Sequence, residues 1–382
     1  GTCLVTATSA ADANYNAAST ASTTETFGLA DQSDIVITTT SGSYGSGLTL
    51  NTSGGAASGS VSYSVSNGTA TGCAVVNGVL SATSAGTCLV TATKSAANYS
   101  DVISAQTTVT FAKAAQATLV LTSTSGVFGT DLTLVTVGGS GTGSLTYSVS
   151  DLTATGCAIT AGKMSASTAG TCLVTATQSG DVNFLDASTG AVVVTIAKAS
   201  QAPLFVTPAT STYGSSITLA VSGGGHGALT YSVSDVTATG CAIVGGVLSA
   251  TTAGTCAVVA TYAGDAGYTA VSSASISMVF AKIAQATLSV TSTSATYGAG
   301  LTLTTSGGSG TGGLSFSVTN GTASGCAIAN GVLSATTAGT CLVSATKTAD
   351  LNYNAATASA TVTFAKADQS TLVLQAASAS AG

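Results

Sequence analysis

Short runs of alternating hydrophobic and polar residues, separated by turn-forming residues, make up most of the chain. In residues 144–149, for example, Leu145, Tyr147 and Val149 alternate with Ser and Thr, as in a strand with one buried face. The runs between positions 116 and 200 are 117–123, 131–137, 144–149, two short runs at Cys157–Ile159 and around Met164, 171–177 and 191–197. The helical period is missing from this pattern, which predicts an antiparallel β-sandwich of seven short strands.

The same succession of runs returns along the chain. Cysteines occur in pairs 15 positions apart, and successive pairs recur every 84 or 85 residues. A period this regular indicates a tandem array of small domains. The predicted units are the end of one repeat at 1–31, complete repeats at 32–115, 116–200, 201–284 and 285–368, and the start of another at 369–382. The junctions contain no Gly/Ser-rich or Pro-rich spacer, so we expect them to be short and stiff.

Turn residues support the strand assignment. Glycine is always second in the pairs Asn77-Gly78, Ala161-Gly162, Gly245-Gly246 and Asn330-Gly331. Asn-Gly is the favoured pair for a two-residue type I′ hairpin, because both positions need a positive φ. Short Asx side chains that can cap a turn follow the third run of each repeat, at Asn67, Asp151, Asp235 and Asn320.

Composition narrows the functional classes. Charged residues make up 5% of the chain, arginine is absent and the net charge is −6. That excludes the basic surface expected of a nucleic-acid-binding protein. Hydrophobic residues make up 45%, enough for a folded core, but none of their runs reaches the roughly 18–20 residues that span a bilayer. We therefore predict no membrane insertion in this segment.

Paired cysteines in small domains predict disulfides and an oxidising, extracellular compartment. The predicted pairs are Cys73 with Cys88, Cys157 with Cys172, Cys241 with Cys256, and Cys326 with Cys341. The alternative is zinc, which needs four ligands, whereas each repeat offers two cysteines and no recurring histidine. Cys3 occupies the place of Cys88, so its expected partner lies upstream of the chain.

Several motifs together resemble a known family. They include TYSVS at 146–150, GCAIANGVLSATTAGTCLVSAT at 325–346 and DLNY at 350–353. The chain is similar to the bacterial immunoglobulin-like (Big-type) tandem repeats of long cell-surface or secreted fibre and adhesin proteins. The resemblance covers every repeat and implies Ig-like sandwiches that serve as stalk or fibre modules, without catalytic residues. Local departures are Leu29 in place of the recurring junction lysine, Ala96 in place of the motif aspartate, and Phe184 in place of its tyrosine.

The D-x-N-Y element predicts a structural corner, in which the aromatic ring closes one end of the sandwich and the aspartate binds nearby backbone amides. Its residues are Asp12, Tyr15, Tyr99, Asp181, Phe184, Asp265, Tyr268, Asp350 and Tyr353. The alternative role for the aspartates is Ca²⁺ binding. Ca²⁺ takes 6–8 oxygen ligands, more than the few scattered carboxylates of a repeat, so we predict no metal and no cofactor.

Other recurring residues have plain structural interpretations. The lysines Lys113, Lys198, Lys282 and Lys366 mark the junctions and keep the last strand soluble; an isopeptide cross-link is the alternative. The Gly-rich segments lack the following helix of a phosphate loop, and His226 occurs in one repeat only. Since no acid, base and nucleophile recur together, we predict that the chain is not an enzyme.

Outward-facing strand positions carry Ser, Thr, Ala and Gly rather than the mixed charge of a soluble monomer. We therefore predict a structural segment of an extracellular or cell-surface protein that builds a stiff fibre, filament, sheath or surface layer. Its expected partners are copies of itself, with glycans on Ser and Thr as a further possibility and no nucleic acid. The alternative hypothesis is the stalk or ligand-binding region of a bacterial adhesin. Binding sites lie in loops that vary, whereas here even the loops repeat.

Overall fold

The computed structural model describes residues 1–56 and 58–375, and every regular element in them is a β-strand. The chain is a tandem array of Ig-like β-sandwiches, and each complete repeat contains one internal disulfide. It divides into two compact units, 1–199 and 200–382. We call 1–31 the N-terminal segment, and 32–115, 116–200, 201–284 and 285–368 repeats 1 to 4. Of the predicted start of a further repeat, 376–382 lie outside the described residues, and 369–375 form no strand.

The strands are as follows. The N-terminal segment contains β1 Thr2–Val5, β2 Thr8–Ser9, β3 Ala18–Ser19 and β4 Thr23–Thr26. Repeat 1 contains β5 Ile35–Ile37, β6 Ser41–Ser43, β7 Leu48–Thr49, β8 Thr52–Gly54, β9 Ser60–Asn67, β10 Ala74–Val76, β11 Val79–Ser81, β12 Gly86–Ser95, β13 Val102–Ile103 and β14 Thr107–Ala112. Repeat 2 contains β15 Val120–Leu121, β16 Ser125–Val127, β17 Leu132–Thr133, β18 Thr136–Val137, β19 Leu145–Asp151, β20 Ala158–Thr160, β21 Lys163–Ser165, β22 Gly170–Gln178, β23 Ala187–Ser188 and β24 Val192–Ala197.

Repeats 3 and 4 follow the same order. Repeat 3 contains β25 Phe205–Val206, β26 Thr210–Thr212, β27 Ile217–Thr218, β28 Val221–Ser222, β29 Leu229–Asp235, β30 Ala242–Val244, β31 Val247–Ser249, β32 Gly254–Tyr262, β33 Val271–Ser272 and β34 Ile276–Ala281. Repeat 4 contains β35 Ser289–Val290, β36 Ser294–Thr296, β37 Leu301–Thr302, β38 Thr305–Ser306, β39 Leu314–Asn320, β40 Ala327–Ala329, β41 Val332–Ser334, β42 Gly339–Lys347 and β43 Ala356–Ala365.

Each repeat has one large sheet and a layer of smaller ones. In repeat 2 the large sheet has the order β16-β24-β22-β19, and β23 also pairs with β22. The facing layer consists of the sheet β17-β21-β20 and the ribbon β15-β18. Neighbouring strands are antiparallel except β16 and β24, which run parallel with Gly126 beside Ile196. The long strand at the edge of the large sheet is β19.

The core of each repeat lies between these two layers. In repeat 2, Cys172, Val174 and Ala176 alternate along β22 and are fully buried. Cys172 and Val174 pack with Leu121 and Met164 from the opposite layer. This is the period-2 burial that the alternation predicted. The N-terminal segment, by contrast, forms the two ribbons β1-β4 and β2-β3, and its residues are exposed.

All four predicted disulfides are confirmed, and among the described residues Cys3 is the one cysteine without a disulfide bond. Each bond joins the start of the smaller sheet to the middle strand of the large sheet. The turn before the first cysteine is held by the Asx residue at the end of the preceding strand. In repeat 2, Asp151 accepts hydrogen bonds from the N–H groups of Gly156 at 3.0 Å and Cys157 at 2.8 Å.

The four hairpin turns have the backbone that the sequence predicted. Both central residues have positive φ in each, for example 49° at Asn77 and 77° at Gly78. In repeat 2 the first position is Ala161, whose φ is 50°. An L-residue with a Cβ adopts this left-handed conformation at a cost. The hairpin therefore forms in repeat 2 despite its sequence, because the pairing of β20 with β21 fixes the turn.

Candidate inter-repeat junction

The predicted corner is built around its aspartate. In repeat 2, Asp181 Oδ1 accepts hydrogen bonds from the N–H groups of Asn183 at 2.8 Å and Phe184 at 2.9 Å. Asp181 Oδ2 accepts bonds from Thr142, at 2.7 Å from the main-chain nitrogen and 3.1 Å from the hydroxyl. The carboxylate thus ties the corner to the Gly-rich loop. The equivalent residues in repeat 4 are Asp350, Asn352, Tyr353 and Thr311.

Repeat 3 builds the same corner with a different loop residue. Asp265 Oδ1 accepts hydrogen bonds from the N–H groups of Gly267 and Tyr268. His226 takes the place of the loop threonine, with its Nδ1 3.4 Å from Asp265 Oδ2. Its ring stacks on that of Tyr268, with 3.6 Å between the centroids. In the N-terminal segment, Asp12 binds the N–H groups of Asn14 and Tyr15, and the Tyr15 side chain is exposed.

The main chain of one repeat is hydrogen-bonded to the corner of the next. Ala114, at the end of repeat 1, donates its N–H to Asn183 O and accepts a bond from Leu185 N, both at 2.9 Å. Ile283, at the end of repeat 3, makes the same pair of bonds with Asn352 and Asn354, at 3.1 and 2.9 Å. A flexible linker would leave these groups to water. Within each compact unit, therefore, adjoining repeats share a short piece of sheet.

The motif asparagine reaches the preceding repeat. Asn183 Oδ1 accepts a hydrogen bond from Ala85 N at 2.9 Å, and Asn352 Oδ1 accepts one from Ala253 N at 2.9 Å. Ala85 and Ala253 are both buried and lie just before the middle strand of the large sheet. A buried N–H without a partner is costly. The asparagine thus satisfies a donor that belongs to the neighbouring domain.

The motif ring also contacts the preceding repeat. Phe184 lies edge-on to Tyr44, with 5.6 Å between ring centroids and an interplanar angle of 88°. Tyr353 lies in the same way against Tyr213, at 5.8 Å and 71°. Edge-to-face pairs of this kind stabilise an interface beyond the area they bury. The sequence predicted a ring that closes the end of its own sandwich, whereas here it packs between two repeats.

The junction lysines have a specific role. Lys113 Nζ donates a hydrogen bond to the main-chain oxygen of Asp181, and Lys282 Nζ donates one to that of Asp350. The ammonium group therefore crosses from the end of one repeat to the corner of the next. The sequence favoured a lysine that keeps the last strand soluble. The structure instead shows a lysine that binds the next repeat.

A glutamine that recurs at the opening of each complete repeat completes the site. In repeat 1, Gln32 Nε2 donates to the carbonyls of Lys94 at 3.0 Å and Ser100 at 2.8 Å, and Oε1 accepts from Ala56 N at 2.9 Å. The amide therefore holds the first residues of a repeat against its own corner and Gly-rich loop. The equivalent residues are Gln116, Gln201 and Gln285. Its recurrence at every opening was the available sequence signal.

The junction between the N-terminal segment and repeat 1 has the same main-chain pairing. Ala30 N donates to Asn98 O at 2.9 Å, and Ser100 N donates to Ala30 O at 2.8 Å. Leu29 stands where the lysine stands elsewhere, and Ala96 stands where the aspartate does. The two departures therefore fall at the same junction.

The corner aspartates of repeats 2 and 4 have lowered pKa values. The N–H of Thr142, together with those of Asn183 and Phe184, lowers the pKa of Asp181 from 3.8 to about 2. The N–H groups of Thr311, Asn352 and Tyr353 lower that of Asp350 to about 2 in the same way. Each carboxylate therefore contributes stability that is complete above its ordinary pKa and is lost as pH falls through about 2.

We expect Asp350→Asn to weaken the acid sensitivity of repeat 4. The wild type should lose stability between about pH 4 and pH 2, whereas the variant should be less stable at neutral pH and change less over that interval. Urea unfolding followed at a series of pH values checks this. Asp131 is exposed, and its carboxylate accepts no hydrogen bond within the described residues, so Asp131→Asn is the matched control. Parallel acid dependence in wild type and Asp350→Asn would contradict the assignment.

The contacts of the junction link protein groups to one another. In the described part of the chain, no three His, Cys, Asp or Glu side chains cluster as a metal site would require. Residues 1–56 and 58–375 contain no helix that is long and apolar enough to cross a membrane. The carboxylate oxygens of the corner aspartates accept hydrogen bonds from main-chain N–H groups, and these bonds stabilise the turn.

Comparison with known proteins gives structural likeness only. The chain matches no protein-family profile and no curated protein. Among solved structures it is similar to surface layer protein SbsC, domains 1–6, at 13% identity and a TM-score of 0.22, covering 88% of this chain and 55% of that one. It thus spans about half the length of that structure.

Two further structures show a comparable likeness. The four N-terminal Ig domains of Dscam1 isoform 6.9 match at 10% identity and a TM-score of 0.23, covering 88% of this chain and all of that one. The Escherichia coli adhesin FdeC matches at 18% identity and a TM-score of 0.19, covering 65% and 99%. At these TM-scores the likeness carries no functional argument, and the proposals below rest on the residues of the chain itself.

Proposed function

We propose that this chain is a structural segment of a long extracellular or cell-surface protein, which builds a fibre, filament, sheath or surface layer from disulfide-stapled Ig-like repeats. The observation that carries the proposal is the junction. Repeats 1 and 2 and repeats 3 and 4 are joined by the same set of main-chain, asparagine, aromatic and lysine contacts. Contacts that fix one domain on the next suit a load-bearing array.

The disulfides support an oxidising compartment. Each complete repeat carries one bond, and the second cysteine of each pair is fully buried. Such a bond in every small domain is characteristic of secreted and surface proteins, since reducing compartments keep thiols free. We therefore place the protein outside the cell or on its surface.

The contacts of the recurring polar residues support a non-catalytic role. The aspartate, asparagine, lysine and glutamine that return in successive repeats are engaged with main-chain groups of the corner or of the neighbouring repeat. Residues committed to such contacts are held in place for packing. The recurring chemistry of the chain thus supports assembly rather than turnover of a substrate.

The adhesin hypothesis requires a surface that differs between repeats. The loop around His226 is such a departure, but its imidazole lies against Asp265 and Tyr268 of the same repeat. It replaces the threonine that binds the corner aspartate in repeats 2 and 4. The sequence change therefore substitutes one structural contact for another, which favours the stalk or fibre role.

Two measurements on the native material test this proposal. Membrane-impermeant biotinylation of intact source cells should label the lysines of the protein. Alkylation of the denatured protein without reductant should leave the eight paired cysteines unmodified, and alkylation after reduction should modify all eight. Protein that is protected from biotin in intact cells, or free thiols at the paired positions, would contradict the proposal.

A further inference from the structure

Each large sheet ends in one long strand whose outer side is open. These strands are β9, β19, β29 and β39, and each pairs on one side with the middle strand of its sheet. They contain eight residues in repeat 1 and seven in the other repeats. In repeat 4 the outer side of residues 356–362 of β43 is also unpaired, and the remaining sheet edges of the described repeats are strands or segments of two or three residues. We call these four strands the open edge.

The open edge lacks the usual protection against another strand. Its sequences are SVSYSVSN, LTYSVSD, LTYSVSD and LSFSVTN, with no Lys, Glu or Pro. Natural proteins protect long edges with such residues or with bulges. The terminal Asp or Asn does not serve this purpose, since Asp235 binds the N–H groups of Gly240 and Cys241 in the following turn.

A second observation lies beside the edge in repeat 3. An open cleft of about 640 Å³ separates β29 from the hairpin of the facing layer. Its lining includes Leu219, Leu229, Tyr231 and Ile243. A strand added to β29 would point every second side chain over this cleft. When a strand is added to a sheet edge in this way, main-chain hydrogen bonds provide the affinity and pockets for alternate side chains provide the specificity.

We propose that the open edge is the lateral self-association surface of the protein, and that its occupant is the open edge of a second copy. This deepens the proposed function by naming the lateral partner. Two antiparallel copies of β29 related by a two-fold axis at Ser232 place Tyr231 opposite Val233 and Thr230 opposite Ser234. Aromatic and β-branched residues pair favourably in this way. No like charges meet, because Asp235 lies opposite Leu229.

The same kind of pairing already exists inside the repeat. In repeat 1, the hydroxyls of Ser64 on β9 and Thr91 on β12 are hydrogen-bonded at 2.5 Å. Ser62 and Ser66 lie on the same exposed face of β9 as Ser64. A second copy of the strand paired along the edge would therefore place further hydroxyl pairs on this face.

Four lysines on the open edge test this proposal in the full chain. The edge variant combines Ser64→Lys, Ser148→Lys, Ser232→Lys and Ser317→Lys, all at exposed positions. The control combines Thr110→Lys, Thr195→Lys, Ser277→Lys and Thr363→Lys, which are exposed on the other strand beside the middle strand of each large sheet. Both variants gain the same charge. Weakening in the edge variant only would therefore indicate edge pairing, whereas equal weakening would indicate face-to-face packing or a general effect of charge.

Sedimentation velocity over a concentration series measures the association. We expect the wild type to self-associate, the edge variant to show a dissociation constant raised about tenfold or more, and the control to stay within about twofold of the wild type. A monomeric wild type, an edge variant that associates normally, or equal weakening in both variants would overturn the proposal.

A second readout needs no variant. Hydrogen exchange of the wild type should slow in β9, β19, β29 and β39 as concentration rises. Unchanged exchange in these strands, in a sample that has associated, would also overturn the proposal. The junction contacts lie within one chain and do not depend on concentration. Failure of edge pairing therefore leaves the biotinylation and thiol results of the proposed function intact, and the two can be told apart.

Discussion

Removing the disulfide of repeat 2 by Cys157→Ala and Cys172→Ala is expected to lower the melting temperature of that repeat by roughly 15 °C. The bond closes a loop with a sequence separation of 15 residues. Constraint of such a loop in the unfolded chain is worth about 3 kcal/mol. Cys172 is also fully buried, so the change leaves a small void in the core.

Calorimetry and hydrogen exchange on the full chain measure this effect. The disulfides of repeats 1, 3 and 4 remain as internal references, and Cys3→Ala is the matched control because Cys3 is exposed and unpaired. Faster exchange should be confined to repeat 2 and its junction with repeat 1. An unchanged melting profile would show that the bond is absent or does not stabilise the repeat.

Asn352→Ala is expected to loosen the junction between repeats 3 and 4. The change leaves the buried N–H of Ala253 without its partner, at a cost of about 1–3 kcal/mol. The loss should appear as faster hydrogen exchange at Ala253 and at the main-chain bonds between Ile283 and Asn354. Exchange at Val258 in the middle of β32 and at Val343 in the middle of β42 should change little, since both residues are fully buried inside their own repeats.

The control for this variant is Asn51→Ala, which removes an exposed asparagine side chain whose residue is hydrogen-bonded through its main chain. It should leave exchange at the junction unchanged. Equal exchange in Asn352→Ala and wild type would mean that the asparagine does not secure the neighbouring repeat.

The fold was largely predictable because the sequence alternates where strands are half-buried. The strand β16 was missed, and its residues explain why. Gly126 faces Ile196 and Leu132, and a Cβ there would lie 3.3 Å from atoms of both. A strand whose inward position is glycine shows no alternation of hydrophobic residues. The two-residue strand β23 is too short for any period to be seen.

The junction was only half predictable. The corner aspartates bind main-chain amides, as the Asx chemistry suggested. The partner of the asparagine is a main-chain N–H, at Ala85 or Ala253, which has no signature in side-chain sequence. The ring that Phe184 or Tyr353 contacts belongs to the preceding repeat, so the sequence pattern of a single repeat does not show this contact. A shared spacing, with Tyr44 and Tyr213 each 140 residues before the ring they contact, becomes meaningful only once the contact is known.

The distribution of distances between repeats 3 and 4 tests the central claim most directly. Spin labels carried by noncanonical amino acids at Val244 and Ala329, equivalent exposed positions in the two repeats, leave the disulfides untouched. Double electron–electron resonance on the full chain should give one narrow distance. A broad distribution would mean that the repeats reorient freely and would contradict a junction that fixes one repeat on the next.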